Sequence, residues 1–208
     1  MPTLSTTENK VLMQQAREAL KGKWGLAIGT MLIYLVIIIG VDLIPRVGWA
    51  ISLILTGPFM LGLVTFALAL SRNQDPHVTQ IFEGFNRLGV AIGAYLLMAL
   101  FVILWMLLLI VPGIVAALSY SQTFYILVEN KSVGPLDAIK KSKQMMMGNR
   151  WKLFCLGLRF LGWALLCILT VGIGFIWLMP YMQISYAKFY DSIPKVETAA
   201  EVAPEGGA

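Results

Sequence analysis

Charge is scarce in this sequence. Only 13% of its 208 residues are Asp, Glu, Lys or Arg, while 58% are hydrophobic. Soluble domains carry about 25% charged residues, so this chain has more apolar surface than one water-soluble core can bury. The same balance excludes disorder over most of its length. Histidine is nearly missing: His77 stands alone in a polar loop after Asp75-Pro76, the setting of a solvated side chain. Cys155 and Cys167 are the only cysteines, and they share one apolar run. Their spacing along a helix is about 18 Å, too far for a disulfide, which leaves them as packing residues. So little Cys and His supplies no metal cluster. Neither HExxH nor GxSxG occurs, no carboxylate lies inside an apolar run to form an intramembrane dyad, and no nucleotide-binding loop is visible. The expectation is a protein that is not an enzyme and needs no cofactor.

What the chain has instead is apolar length. Six runs stand out, at about 24–40, 51–70, 88–109, 112–128, 153–169 and 173–189. As helices, each is long enough to cross a hydrocarbon core about 30 Å thick. The runs are continuous rather than alternating, which favours helices over barrel strands. The connections 41–50, 110–112 and 170–172 are short and nearly uncharged, whereas 71–87 and 129–152 are longer and basic. Of the 16 lysines and arginines, all but Arg46 and Arg159 lie in the N-terminal segment, the two long connections or the C-terminal segment. By the positive-inside rule this places both termini in the cytoplasm. No cleavable leader is expected. The first run begins at Trp24 after Lys10, Arg17, Lys21 and Lys23, is long for a signal peptide, and no Ala-x-Ala site follows it.

The runs fall into pairs that look repeated. Gly25-Leu-Ala-Ile-Gly29 matches Gly89-Val-Ala-Ile-Gly93, Asn86-Arg87-Leu88 matches Asn149-Arg150-Trp151, and Pro58, Pro112 and Pro180 each stand early in the second run of a pair. Each pair follows a segment with helical apolar spacing: Val11, Leu12, Ala16, Ala19 and Leu20; Val78, Ile81, Phe82, Phe85 and Leu88; and Leu136, Ile139 and Met146. The expected fold is all-α and membrane-integral, with six transmembrane helices as three hairpins, each preceded by an amphipathic interfacial helix. One domain spans 1–191, with units at about 8–71, 72–130 and 131–191. The segment 192–208, with its prolines, alanines and glutamates, is expected to be a disordered cytoplasmic tail. The Gly25/Gly29 and Gly89/Gly93 pairs have GxxxG spacing and predict close helix packing. The prolines are expected in first or second turns, where a missing N–H costs least.

Several strings then become recognisable in combination: Leu104-Trp105 running into Pro112-Gly113-Ile114, Ser119 through Tyr125, Ser142-Lys143 through Met147-Gly148, Trp151-Lys152-Leu153-Phe154, Gly162-Trp163, Gly172-Ile173-Gly174, Pro180-Tyr181 and Phe189-Tyr190. With these the chain resembles, nearly to Asp191, the bacterial multipass membrane family catalogued as domain-of-unknown-function family 975. More distantly it is similar to the membrane domain attached to some glycerophosphodiester phosphodiesterases. The resemblance implies a location in the bacterial inner (plasma) membrane and a fold, and no activity. Arg159 departs from the small polar or apolar residue expected there.

Arg159 is the sharpest single feature, a cation about two turns inside the fifth run. Its cost in hydrocarbon is about 2.5 to 3.5 kcal/mol at a helix centre, reduced where the side chain can snorkel to headgroups. Counted from the helix ends, Gln122 and Gln183 lie at a similar depth. Ser119 and Gln122 share a face of the fourth run, and Gln183 and Tyr186 share one of the sixth. The expectation is a cytoplasm-facing polar cavity, with Arg159 as anion anchor and Gln122, Gln183, Tyr186 and Ser119 as hydrogen-bonding partners; interhelical hydrogen bonding alone is the plainer account. The basic stretch Lys140, Lys141, Lys143, Arg150 and Lys152 is a candidate site for anionic headgroups. Bases at membrane ends without an aromatic platform argue against nucleic acid. Two functions remain open: lipid handling or small-molecule transport, with membrane lipids as partners, and a non-catalytic scaffold acting through a protein partner.

Overall fold

The computed structural model describes residues 4–170 and 172–194, and among these there is no strand. A short helix α1 (Asn9–Leu20) buries Leu12, Ala16, Ala19 and Leu20 at helical spacing and turns Lys10, Gln14 and Arg17 outward. Gly22, at φ +79°, ends it. This left-handed backbone is free of strain only without a Cβ, and it redirects the chain into α2 (Trp24–Asp42). Helix α3 (Gly48–Ser71) follows, then a 3-10 segment Val78–Arg87 leading without a gap into α4 (Leu88–Leu108). Helices α5 (Ile110–Tyr120) and α6 (Thr123–Glu129) form one interrupted rod. Helix α7 (Pro135–Met145) is short and amphipathic, and the left-handed Gly148, at φ +85°, leads from it toward α8 (Arg150–Leu169). Helix α9 (Phe175–Ser192) closes the fold.

Burial separates an inner from an outer layer. In α3, 67% of the apolar window is buried, and in the α5–α6 rod 56%, against 11% in α2, 11% in Val78–Leu108 and 22% in α8. Helix α9 joins the inner group: it packs on α3 and buries Ile184, Ser185, Ala187, Phe189 and Tyr190. The outer helices leave long aliphatic side chains uncovered, to 84% exposure at Leu107 and 85% at Leu169. A face of this kind is stable only with an apolar solvent around it.

Inner and outer parts meet through backbone. A Cβ on Gly62 would lie 2.0 Å from the Ile81 carbonyl oxygen, and one on Gly84 1.9 Å from that of Pro58. The 3-10 segment therefore lies directly against α3, with Phe59 of α3 edge-on to Phe82 and Phe85.

The predicted helices are present, with differences. Among the described residues five helices, not six, are long and apolar enough to cross a membrane: Trp24–Asp42, Gly48–Ser71, Val78–Leu108, Ile110–Glu129 and Arg150–Leu169. Helix α9 falls short because Gln183, Lys188, Asp191 and three tyrosines dilute its apolar half. The fourth run is not continuous but breaks at Ser121-Gln122. The expected amphipathic faces are only partly buried: Ile81 and Ile139 are inside, while Val11, Phe82 and Leu136 are exposed. Pro58 is inside α3 rather than near its start, because that helix begins at Gly48. Gly25, Gly29 and Gly89 have no neighbour within 4 Å of a built Cβ, so the GxxxG spacing marks no close packing there, whereas a Cβ on Gly93 would lie 3.2 Å from Pro135 Cγ of α7. Both cysteines are free, with Cys167 buried. Of the expected tail, Ser192 is the last residue of α9 and Ile193 is buried in the core, while 195–208 lie outside the described residues.

Candidate functional site

Three polar constellations interrupt the apolar packing. The first ties together the ends of α3, α6 and α9. Arg72, just past α3, donates from Nε to both carboxylate oxygens of Asp191 at 3.1 and 3.3 Å and from Nη2 to Oδ1 at 2.5 Å. It also pairs with Glu129 at the end of α6. Tyr190 donates its hydroxyl to the second Glu129 oxygen at 2.7 Å and stacks on Tyr125, with ring centroids 5.0 Å apart. The hydrogen bonds to Asp191 hold the Arg72 pKa above its ordinary value, with Glu129 acting in the same direction and partial burial opposing both. Nearby, Arg87 donates to the carbonyls of Leu127 and Val133, capping the last turn of α6 where the helix dipole favours a cation.

The second constellation is the break between α5 and α6. The Gln122 N–H bonds to Ser142 Oγ of α7 at 3.2 Å, and the Ser142 hydroxyl donates to the Ser119 carbonyl at 2.7 Å. Ser121 and Thr123 donate to the carbonyls of Leu118 and Tyr120. Hydroxyls thus take up the backbone groups that the interruption releases, as buried backbone requires. Gln122 is 1% exposed; its Nε2 donates to Ser121, and its Oε1 has no partner among the described residues.

The third is a groove of about 930 Å³ between α1, α8 and α9. Lys10, Gln14 and Arg17 line it along one face of α1, with Lys21 at the C-terminal cap of that helix, and Arg159 and Trp163 of α8, Tyr181 of α9 and Trp24 of α2 complete the lining. Glu18 is the one carboxylate in this lining, against four cations. Tyr181 bonds the Met13 carbonyl at 3.1 Å and fixes α9 to α1 beside the groove. A smaller hollow of about 440 Å³, next to the Arg72 cluster, has Glu18 and Asp191 against Lys188 and no such excess of positive charge.

The residues expected at one cavity are thus divided. Ser119 and Gln122 meet at the helix break, whereas Arg159 is exposed in the basic groove, whose lining includes neither glutamine. Gln183 is half-buried on α9, and Tyr186 packs edge-on to Phe160, the neighbour of Arg159. The basic stretch is divided as well. Lys140 and Lys143 are exposed, with Lys140 3.7 Å from Asp137. Lys141 is half-buried, and the Arg150 Nε is buried without a partner among the described residues. Lys152 turns inward to Ser5, donating to its carbonyl at 3.0 Å and to its hydroxyl at 2.6 Å. Ser5 also bonds Asn149 and Ser192, stitching the N-terminal segment to α8 and α9.

Sequence reasoning missed Arg72, Glu129 and Asp191 as a group. The signal for them was opposite charge at the matching ends of the second helix of each pair. It also missed Lys10, Gln14, Arg17 and Lys21 as one stripe, although their spacing of four, three and four residues was visible.

The family model described as protein of unknown function (DUF975) matches residues 1–119 and 106–197 of the chain. No curated protein and no solved structure matches, so the distant likeness to a phosphodiesterase membrane domain has no support.

Proposed function

Because this chain belongs to the DUF975 family, whose activity is undescribed, we propose a function from its geometry: a multipass inner-membrane protein that holds anionic lipids at its cytoplasmic face. The observation that carries this reading is the groove in which Arg159 joins Lys10, Arg17 and Lys21, with Glu18 as the opposing carboxylate. Cations at a membrane surface attract anionic lipid by about 1 kcal/mol each. Tyrosine and tryptophan prefer the same depth, and Trp24, Trp163 and Tyr181 share this groove. A helix as charged as α1 does not sit in hydrocarbon. Its contact with α8 therefore brings headgroup level down to Arg159, and the cost of that cation falls accordingly.

In this reading α9 is the sixth span. Its Ser185 and Tyr190 are buried inside the protein, where intramembrane polar groups are tolerated. Three hairpins follow, with their second helices inside. The meeting of Arg72, Glu129 and Asp191 supports this arrangement, because it brings the far ends of those second helices to one side.

The test is native mass spectrometry with lipid identification on protein released from nanodiscs, wild type beside Arg159→Leu. An anionic lipid retained by the wild type and lost in the variant is the expected result. Equal, nonselective lipid on both overturns the reading and directs attention to cross-linking for a protein partner.

A further inference from the structure

The break between α5 and α6 lies within an apolar rod, yet it gathers oxygen atoms. Ser119, Gln122, Thr123 and Ser142 are all buried there. Each hydroxyl hydrogen of the cluster is already taken by a carbonyl. Ser119 donates to Val115, Ser121 to Leu118, Thr123 to Tyr120 and Ser142 to Ser119. The Gln122 N–H is taken by Ser142 Oγ. Because the Ser121 hydroxyl donates to Leu118, its oxygen accepts from Gln122, at 2.9 Å. This bond turns Nε2 toward Ser121 and leaves Oε1 as the end of the amide with no partner among the described residues. What remains at the break is acceptor capacity: Gln122 Oε1 and the lone pairs of the hydroxyls around it. Helix α5 ends at the same place, and the negative end of its dipole adds to the effect.

We propose that the α5–α6 break binds an alkali metal ion, with Gln122 Oε1 as a ligand. A buried acceptor of this kind calls for a donor or a cation. Neutral oxygens, carbonyls above all, hold alkali metal ions in channel filters and at interrupted membrane helices. The carbonyls at the end of α5 and the hydroxyl oxygens of Ser121 and Ser142 are the neighbouring oxygens. No carboxylate belongs to the cluster, so nothing there offsets the dehydration of a divalent ion. The site is separate from the basic groove, and its test does not depend on lipid.

The experiment is thermal unfolding of the purified full-length protein in detergent, followed by helical circular dichroism. Sodium chloride or potassium chloride replaces choline chloride stepwise at constant total salt, so neither ionic strength nor the anion changes. With one of the two alkali ions the midpoint is expected to rise saturably, by about 2 °C at about 100 mM. Gln122→Met should abolish that rise. Ser121→Ala removes the hydroxyl that orients the amide, and should raise the concentration at half effect about fivefold; it decides the matter should Gln122→Met not fold. Equal wild-type midpoints in all three salts overturn the inference and leave water as the partner of Oε1. A rise that persists undiminished in the variants puts the ion elsewhere and overturns it as well.

Discussion

Ser142 illustrates how much a single hydroxyl can decide. It accepts from the Gln122 N–H and donates to the Ser119 carbonyl across the break in the fourth apolar run. Ser142→Ala leaves two buried backbone groups without these bonds, at a cost of about 1–3 kcal/mol. Gln122→Met removes an amide whose Oε1 has no partner among the described residues, and stability should shift by less than about 1 kcal/mol. Unfolding midpoints of both variants in detergent, followed by helical circular dichroism, check the pair; a larger loss for Gln122→Met would contradict this account of the break. Ser119 and Gln122 were legible as a shared face because both lie in one run. Ser142 was not, because it comes from a helix twenty residues further along the chain and nothing local marks it as their partner.

At the scale of the element, glycines separate close packing from open surface. Gly62→Ala drives a methyl group into the Ile81 carbonyl, and neither backbone can yield without moving α3 from the 3-10 segment. A loss of about 3 kcal/mol or failure to fold is expected. Gly25→Ala meets nothing within 4 Å and should be neutral or stabilise by about 0.5–1 kcal/mol through helix propensity. Thermal midpoints of the two variants should move in opposite directions or differ by several degrees. Of the glycines with GxxxG spacing, Gly93 packs closely, against Pro135 of α7, and Gly25, Gly29 and Gly89 do not, because spacing shows that a face is small, not what lies across from it. The amphipathic spacing of α1 was better read. Leu12, Ala16 and Leu20 are wholly buried as their periodicity predicted, because amphipathic spacing is a local property of one helix.

For the whole molecule, the proposed sidedness of charge is what labelling can test. Arg72, Glu129 and Asp191 meet at one end of the inner helices, and Lys152 and Ser192 converge on Ser5. Arg46, by contrast, lies in the turn between α2 and α3, where its carbonyl accepts from Trp49. With Cys155 and Cys167 replaced by alanine, Ser132→Cys is expected to react with a membrane-impermeant maleimide only after cells are opened, and Arg46→Cys in intact cells. The reverse pattern would invert the proposed orientation, and labelling of both in intact cells would end the hairpin topology.

Composition and run length determined by themselves that this chain is all-helical and rich in membrane-length apolar helices, because apolar length and period are properties of neighbours in sequence. The tertiary structure decided which helices are inner and which are outer, and that Arg159 shares a groove with Lys10, Arg17 and Lys21 and not with Gln122 and Gln183. Matching depth along separate helices leaves their rotation free. Only the packing of α1 against α8 and α9, fixed in part by the Tyr181 bond to the Met13 carbonyl, sets which side chains share one groove.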